Sequence, residues 1–240
     1  MRCAYPPRQE GVSMNLTAVS YWQGAENHSA LLLQHYRYRK VPFCFLALCA
    51  GGNESQGRAG AYLTGQLLRW FRGLPFRRLA RDPERSISVL ERDMKSRLGR
   101  LDEELEAGGL SQGENRQPVS GIFCVDDCFL LFSRGGQKIF LLNRDMGRGS
   151  VRCLSDVTEK GTSAAGLPGM RQGILQRDVG LLLATDTFCR FLADSDIREC
   201  LYVDELEDES RIRRRLYELG QRCETLGGRD MAAGIVLSGP

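Results

Sequence analysis

No apolar run in the 240-residue chain approaches the ~20 residues a bilayer-spanning helix needs. The first 14 residues, MRCAYPPRQEGVSM, lack the apolar core of a secretory signal. They are read as a flexible N-terminal segment, with Met14 as an alternative start, and the chain is expected in the cytoplasm. Charge of one sign is also missing, because 33 basic residues face 30 acidic ones for a net +3. That balance speaks against a nucleic-acid or membrane-surface partner. Histidine is scarce, with only His28 and His35, and the nine cysteines contain no CxxC pair. A zinc centre needs closer ligand spacing than this. The cysteines instead sit in apolar runs such as FCFLALC, GIFCV and TFCRFL, where a free thiol behaves as a small buried hydrophobe. An odd number of them favours reduced thiols over a disulfide framework. Repeats and low-complexity tracts are absent too.

What is present suits a folded chain: 42% apolar and 26% charged residues. Residues 16–22 and 29–36 alternate as strands around the QGAEN turn, and residues 41–48 (VPFCFLAL) form a continuous apolar strand. After the glycine break CAGGNES, Ala59, Leu63, Leu67 and Trp70 recur at helical spacing, and LPFRR closes that helix. Residues 83–107 predict a second helix with the stripe Ile87, Leu90, Met94, Leu98, Leu101 and Leu105. VSGIFCV, FLLFSR and KIFLLN read as a meander of three strands, with Asp126 and Asp127 doing turn chemistry. Residues 144–173 carry little pattern and read as a long surface excursion. A short helix near 194–201 and a last helix with Ile212, Leu216, Leu219 and Cys223 on one face complete the chain. In that last helix Glu207 and Glu209 precede Arg211 and Arg213 by four residues, the favourable order for helix ion pairs. The basic run RIRRR is therefore a solvated face. Residues 15–240 are expected to form one domain of the α+β class: two packed antiparallel sheets with paired helices outside.

Two acids stand out. GLLLATDTF ends an apolar run on Asp186, and GGRDM carries Asp230 just before another apolar run. Strands that each bring a carboxylate to a chain reversal are one way to hold a hard divalent cation. The plainer alternative is that both acids cap turns.

The order and flanks of these segments resemble the metal-dependent PPM (type 2C) serine/threonine phosphatases, as a divergent, bacterial-like member. Asp186 matches the aspartate of the family's SDG segment, with Thr187 in place of glycine. Gly227, Gly228 and Asp230 match GGxDN, and Met231 replaces the asparagine. FSRGGQKIFLLN is similar to the GDSRxYLL strand, with Gly136 for Asp and Gln137 for Ser, and Asp178 matches the family's GD. The likeness implies a four-layer α-β-β-α sandwich of two antiparallel sheets flanked by helix pairs, with the strands of 41–48 and 180–186 adjacent in the core. It also implies that Asp186 and Asp230 come close, within ~8 Å, since one ion draws its ligands from a single shell.

The first half departs from the family pattern. The phosphate-clamping arginine of RxxNED falls on Gln23 and the glutamate on Asn27, with His28 for the aspartate. Glu26 is one position early, and a one-residue slip in a strand turns a side chain to the other face. The metal-bridging aspartate falls on Cys49, or on Ala50 in the neighbouring register. Two dications ~4 Å apart repel by ~17 kcal/mol at an effective dielectric of ~20. Asp186 and Asp230 bring two negative charges and no bridge, and without the arginine, bidentate phosphate recognition goes too. The expectation is a pseudophosphatase that needs no cofactor, with a phosphorylated protein or a serine/threonine kinase signalling module as partner. The alternative is an active, divergent phosphatase using Mn²⁺ or Mg²⁺ on Glu26, Asp186 and Asp230. In either case Cys49 or Ala50 is expected to line the cleft of Asp186 and Asp230.

Overall fold

The computed structural model describes residues 15–23, 28–110, 116–143, 150–155, 169–176, 179–201 and 208–239. One sheet has the order β1 (Asn15–Gln23), β10 (Met231–Gly239), β9 (Val179–Ala184), β6 (Lys138–Asn143), β7 (Ser150–Cys153). The other runs β2 (Ala30–Tyr38), β3 (Val41–Cys49), β4 (Val119–Val125), β5 (Cys128–Arg134), β8 (Gly169–Ile174). They are called the β10 sheet and the β3 sheet below. Every pairing is antiparallel.

The period of two along a strand sorts side chains into separate cores. In β3, Phe43, Phe45, Ala47 and Cys49 join the core under the helices, whereas Cys44, Leu46 and Leu48 join the core between the sheets. Leu181 and Leu183 of β9 occupy that same inter-sheet core. The two strands expected to be adjacent thus pack face to face across the sandwich. Both faces of β3 are buried, which explains why it reads as an unbroken apolar run.

Helices α1 (Glu54–Arg72) and α3 (Pro83–Ala107) cover the β3 sheet through the stripes expected from their spacing. Asn53 caps α1 by accepting from the Gln56 amide at 2.9 Å, and Asp82 caps α3 ahead of Pro83. On the outer face of the β10 sheet lie α4 (Asp186–Phe191), α5 (Asp194–Cys200) and α6 (Glu209–Thr225). Ile212, Leu216, Leu219 and Cys223 of α6 are all buried there. Arg213 pairs with Glu209 at 2.7 Å, as the spacing implied, while Glu207 lies outside the described residues. The result is the four-layer α-β-β-α sandwich. Among the described residues no helix is long and apolar enough to cross a membrane.

Local expectations needed correction in several places. LPFRR does not merely close α1; it forms a separate short helix, α2 (Phe76–Leu79), held by Phe76 among Tyr36, Phe43 and Phe71. The three strands after residue 119 are not a meander, because β5 and β6 belong to different sheets. The intervening Gly135, at φ +105, carries the chain from one layer to the other; period and turn residues are alike for a hairpin and for such a crossing. Residues 144–173 are not all surface excursion, since β7 edges the β10 sheet and β8 pairs with β5. Residues 144–149 and 156–168 lie outside the described residues, as do 1–14.

Candidate functional site

Chain direction gathers one end of both sheets. The C-terminal ends of β1 and β9 and the N-terminal ends of β10 and β6 share one edge of their sheet. In the other sheet, the C-terminal ends of β3 and β5 lie beside the N-terminal ends of β2 and β4. The short link from Arg134 to Lys138 joins these two edges, so they face the same way.

On the β10-sheet side, Thr185 donates its amide to the Ala232 carbonyl at 2.9 Å, which sets Asp186 across from Met231 and next to the approach of Asp230. The backbones of the two predicted acids are therefore neighbours at one edge. Asp186 is the first residue of α4, N-capped by Thr185, and its side chain is 49% exposed. Arg190, one turn on, donates Nη2 to Asp186 Oδ2 at 2.5 Å. Asp230 sits at φ +57, a left-handed position that aspartate tolerates better than most residues. A Cβ at Gly136 would fall 3.1 Å from the Asp186 Cβ, so a side chain at this position would have to press against Asp186.

The β3-sheet side is different. Cys49 ends β3 with no exposed surface, and its side chain belongs to the core under the helices. It does not line the cleft between the sheets. Continuing the alternation by one residue puts Ala50, half-buried, on the inter-sheet side. A Cβ on Gly60 of α1 would lie 3.2 Å from the Cys49 Cβ, so helix and strand meet there at close range. Burial pushes the Cys49 thiol up to about 12, partly opposed by the Arg134 cation. The thiol is neutral at physiological pH and is not a poised nucleophile.

Around it runs a hydrogen-bonded chain. Gln117 donates Nε2 to the Ala50 carbonyl at 2.7 Å, and its own carbonyl accepts from Arg134 Nε at 3.2 Å and Nη2 at 2.9 Å. Arg134 then grips Asp102 of α3 with both forks, at 2.6 and 2.8 Å, both side chains only 10% exposed. Arg116 adds a contact to Asp102 at 3.3 Å. Between the sheets at the same end, Ser120 and Ser133 share a hydrogen bond of 2.8 Å, and Ser120 reaches Gln137 Oε1 at 3.4 Å. Gln137 has no exposed surface, and its Nε2 has no partner among the described residues.

Other expected positions are reached only in part. Gln23 ends β1 opposite Met231. Glu26, Asn27 and Asp178 lie outside the described residues. His28 packs its carbonyl and Cβ against Gly51 and Gly57, where added Cβ atoms would fall 2.6 and 3.1 Å away. Among the described residues no group of three or more His, Cys, Asp or Glu side chains is arranged to hold a metal ion.

Sequence reading missed Arg134, Asp102, Gln117 and the Ser120–Ser133–Gln137 set. A signal existed for some: Asp102 follows the helical stripe beside Leu98, Leu101 and Leu105, and Ser120 and Ser133 fall at buried positions of otherwise apolar strands.

The architecture is that of the PPM-type phosphatases. No family model matches the sequence, and no curated protein matches it either. Solved structures do. The S. agalactiae serine/threonine phosphatase is 14% identical, with a TM-score of 0.65 over 93% of this chain and 99% of that one. The catalytic domain of the serine/threonine protein phosphatase PstP, in complex with two manganese ions, is 14% identical, with a TM-score of 0.64 over 95% and 99%. PppA, a key regulatory component of T6SS in Pseudomonas aeruginosa, is 16% identical, with a TM-score of 0.63 over 94% and 99%. Identities this low establish a shared fold; the activity has to be argued from the site.

Proposed function

We infer that this chain is a PPM phosphatase-like protein that no longer hydrolyses phosphoesters, a pseudophosphatase that binds or regulates a partner in serine/threonine phosphorylation signalling. The observation that carries the reading is the β3 edge. Where the resemblance calls for a bridging carboxylate, a neutral thiol lies in a dry core, beside a guanidinium already matched by its own acid. Two dications need several anionic oxygen ligands in one rigid frame. The described residues offer Asp186, engaged by Arg190, and Asp230. That donor set does not fit a two-ion centre, and no hydrolytic step is assigned to it.

Asp186 and Asp230 remain as residual ligands for one weakly held Mn²⁺ or Mg²⁺, with water in the other positions and Glu26 as a third candidate. The vacated positions are Gln23, Asn27, Cys49 and Ala50. The partner class, a phosphorylated protein or a serine/threonine kinase module in the cytoplasm, is proposed from likeness to proteins described as serine/threonine phosphatases and as a regulatory component. The unit that does this is residues 15–240 acting as one domain.

The test is turnover by the unaltered protein with millimolar manganese or magnesium, on an aryl phosphate and on a phosphopeptide. No hydrolysis above background is expected. Metal-dependent turnover on the order of 1 s⁻¹ that disappears in Asp186→Ala would overturn the proposal and make this an active, divergent phosphatase.

A further inference from the structure

The other end of the β3 sheet carries a feature the vacated centre does not explain. The nine residues of β3 separate the β2–β3 turn from Cys49 by about 26 Å at ~3.3 Å per residue. Between that turn and α2 lies a cavity of ≈160 Å³, lined by Tyr38, Arg39, Val41, Arg77, Ala80 and Arg81. One water needs only ~10–15 Å³ on this measure, so there is room for a tetrahedral oxyanion and the atoms that bear it. Three of the six lining residues are arginines and none is acidic.

Some of the chain's arginines are matched by acids. On α6, Arg213 pairs with Glu209, Arg214 and Arg215 with Glu218, and Arg222 with Asp196. Among the described residues, Arg39, Arg77 and Arg81 form no ion pair. The acid that follows them, Asp82, accepts from the Arg85 amide as the cap of α3. Three guanidiniums facing one cavity repel each other until an anion enters.

An aromatic cluster anchors α2 beside the cavity. Phe76 of α2 packs at 4.2 Å from Tyr36, 4.9 Å from Phe43 and 5.3 Å from Phe71, between ring centroids. Leu79 is buried beside it. Arg77 lies within α2 and Arg81 in the turn just beyond it, its amide donating to the Arg78 carbonyl at 3.2 Å, and both line the cavity. Across from them, Arg39 occupies a turn position at φ +55, where glycine or asparagine is the usual residue. Its guanidinium carbon lies 5.8 Å from the Tyr38 ring centroid, which steadies it by a cation–π contact. Next to the pocket, Tyr36 is 44% exposed and offers an aromatic surface to whatever flanks the anion.

The geometry points to a binding site for the phosphate monoester of a phosphorylated peptide, held by Arg39, Arg77 and Arg81, with Tyr36 and Tyr38 against the neighbouring residues. Guanidinium forks match phosphate oxygens in pairs, and several arginines around one dianion are a general mode of phosphopeptide recognition. This site does not depend on the metal centre. It would let the fold engage a phosphorylated partner whether or not the opposite edge hydrolyses anything.

The experiment is a titration in EDTA, so that turnover plays no part, using a phosphothreonine peptide, its unphosphorylated counterpart, inorganic phosphate and a single-stranded oligonucleotide. The phosphopeptide is expected to bind most tightly. The double variant Arg77→Ala with Arg81→Ala, and separately Arg39→Gly, should each weaken it by about tenfold or more. Arg39→Gly removes the charge at a turn position that suits glycine, so a loss there cannot be put down to misfolding. Arg213→Ala, on α6 and outside the cavity lining, should bind as the unaltered protein does. Equal binding of both peptides overturns the proposal, and so does inorganic phosphate binding as tightly as the phosphopeptide. Tighter oligonucleotide binding, or phosphopeptide affinity unchanged in the arginine variants, overturns it as well.

Discussion

The two sides of the candidate edge are built differently. On the β10-sheet side stand two partly exposed acids: Asp186, which opens α4 and pairs with Arg190, and Asp230, at a left-handed backbone angle. On the β3-sheet side, the position to which the resemblance assigns a bridging carboxylate is protein interior, with Cys49 under α1 and Arg134, Asp102 and Gln117 tied together beside it. A lost ligand on an otherwise open edge is reversed by one substitution. A site refilled by a close-packed core and a satisfied buried ion pair is not, because any return must first undo that packing.

The largest effect should come from the buried pair. Asp102→Ala leaves the Arg134 guanidinium, only 10% exposed, without its acid, and should cost about 3–5 kcal/mol in chemical denaturation. Replacing both partners, Asp102→Leu with Arg134→Met, should recover most of that loss. A single variant that costs under about 1 kcal/mol would mean the network is not interior after all, and the contrast between the two sides would collapse.

Next comes the vacated position itself. Cys49→Asp puts a carboxylate where no surface is exposed and should destabilise by about 2–3 kcal/mol. Manganese should not restore the melting temperature. If the ion stabilises this variant markedly more than the unaltered protein, the β3 edge is closer to a metal site than its packing suggests.

The same burial makes stability depend on alkaline pH. The thiols of Cys49 and Cys124 are pushed up to about 12, and that of Cys44 well above its ordinary value, all mainly by burial. Thiols in the unfolded chain ionise near pH ~8.5. Because the folded values are raised, stability is fully present below that pH and is lost as pH climbs toward the folded values, by ~1.4 kcal/mol per unit for each thiol. Urea midpoints measured at rising pH should fall, and Cys49→Ala should make the fall shallower by one thiol's share.

The smallest effect is expected on the β10-sheet side. Asp186→Ala removes an exposed i,i+4 pair with Arg190, and its stability should stay within about 0.5 kcal/mol of the unaltered protein. A larger loss, read from the same denaturation curves, would show Asp186 to be built into the fold rather than poised at its surface.

Much of the architecture could be read from the chain because it rests on local period. The stripe Ile87–Leu90–Met94–Leu98–Leu101–Leu105 marked α3 to its ends, since Pro83 opens it and glycine closes it. The doubly buried β3 announces itself as an unbroken apolar run, and Asp186 and Asp230 stand out in the sequence as acids beside apolar runs. Local period also misleads: KIFLLN has the same pattern whether it returns to its own sheet or crosses to the other, so period alone puts β6 beside β5, whereas it pairs with β9 in the other sheet. The charges tell the same story. Arg134 and Asp102 are 32 residues apart, and nothing in either neighbourhood names the other. Arg39, Arg77 and Arg81 look in sequence like any solvated basic run. Alternation and glycine placement are written residue by residue, so they determined the layers and the helix faces. Which polar groups are buried together, and which cations are left facing a cavity, depends on long-range docking of sheet, helix and turn, and only the tertiary structure decided that.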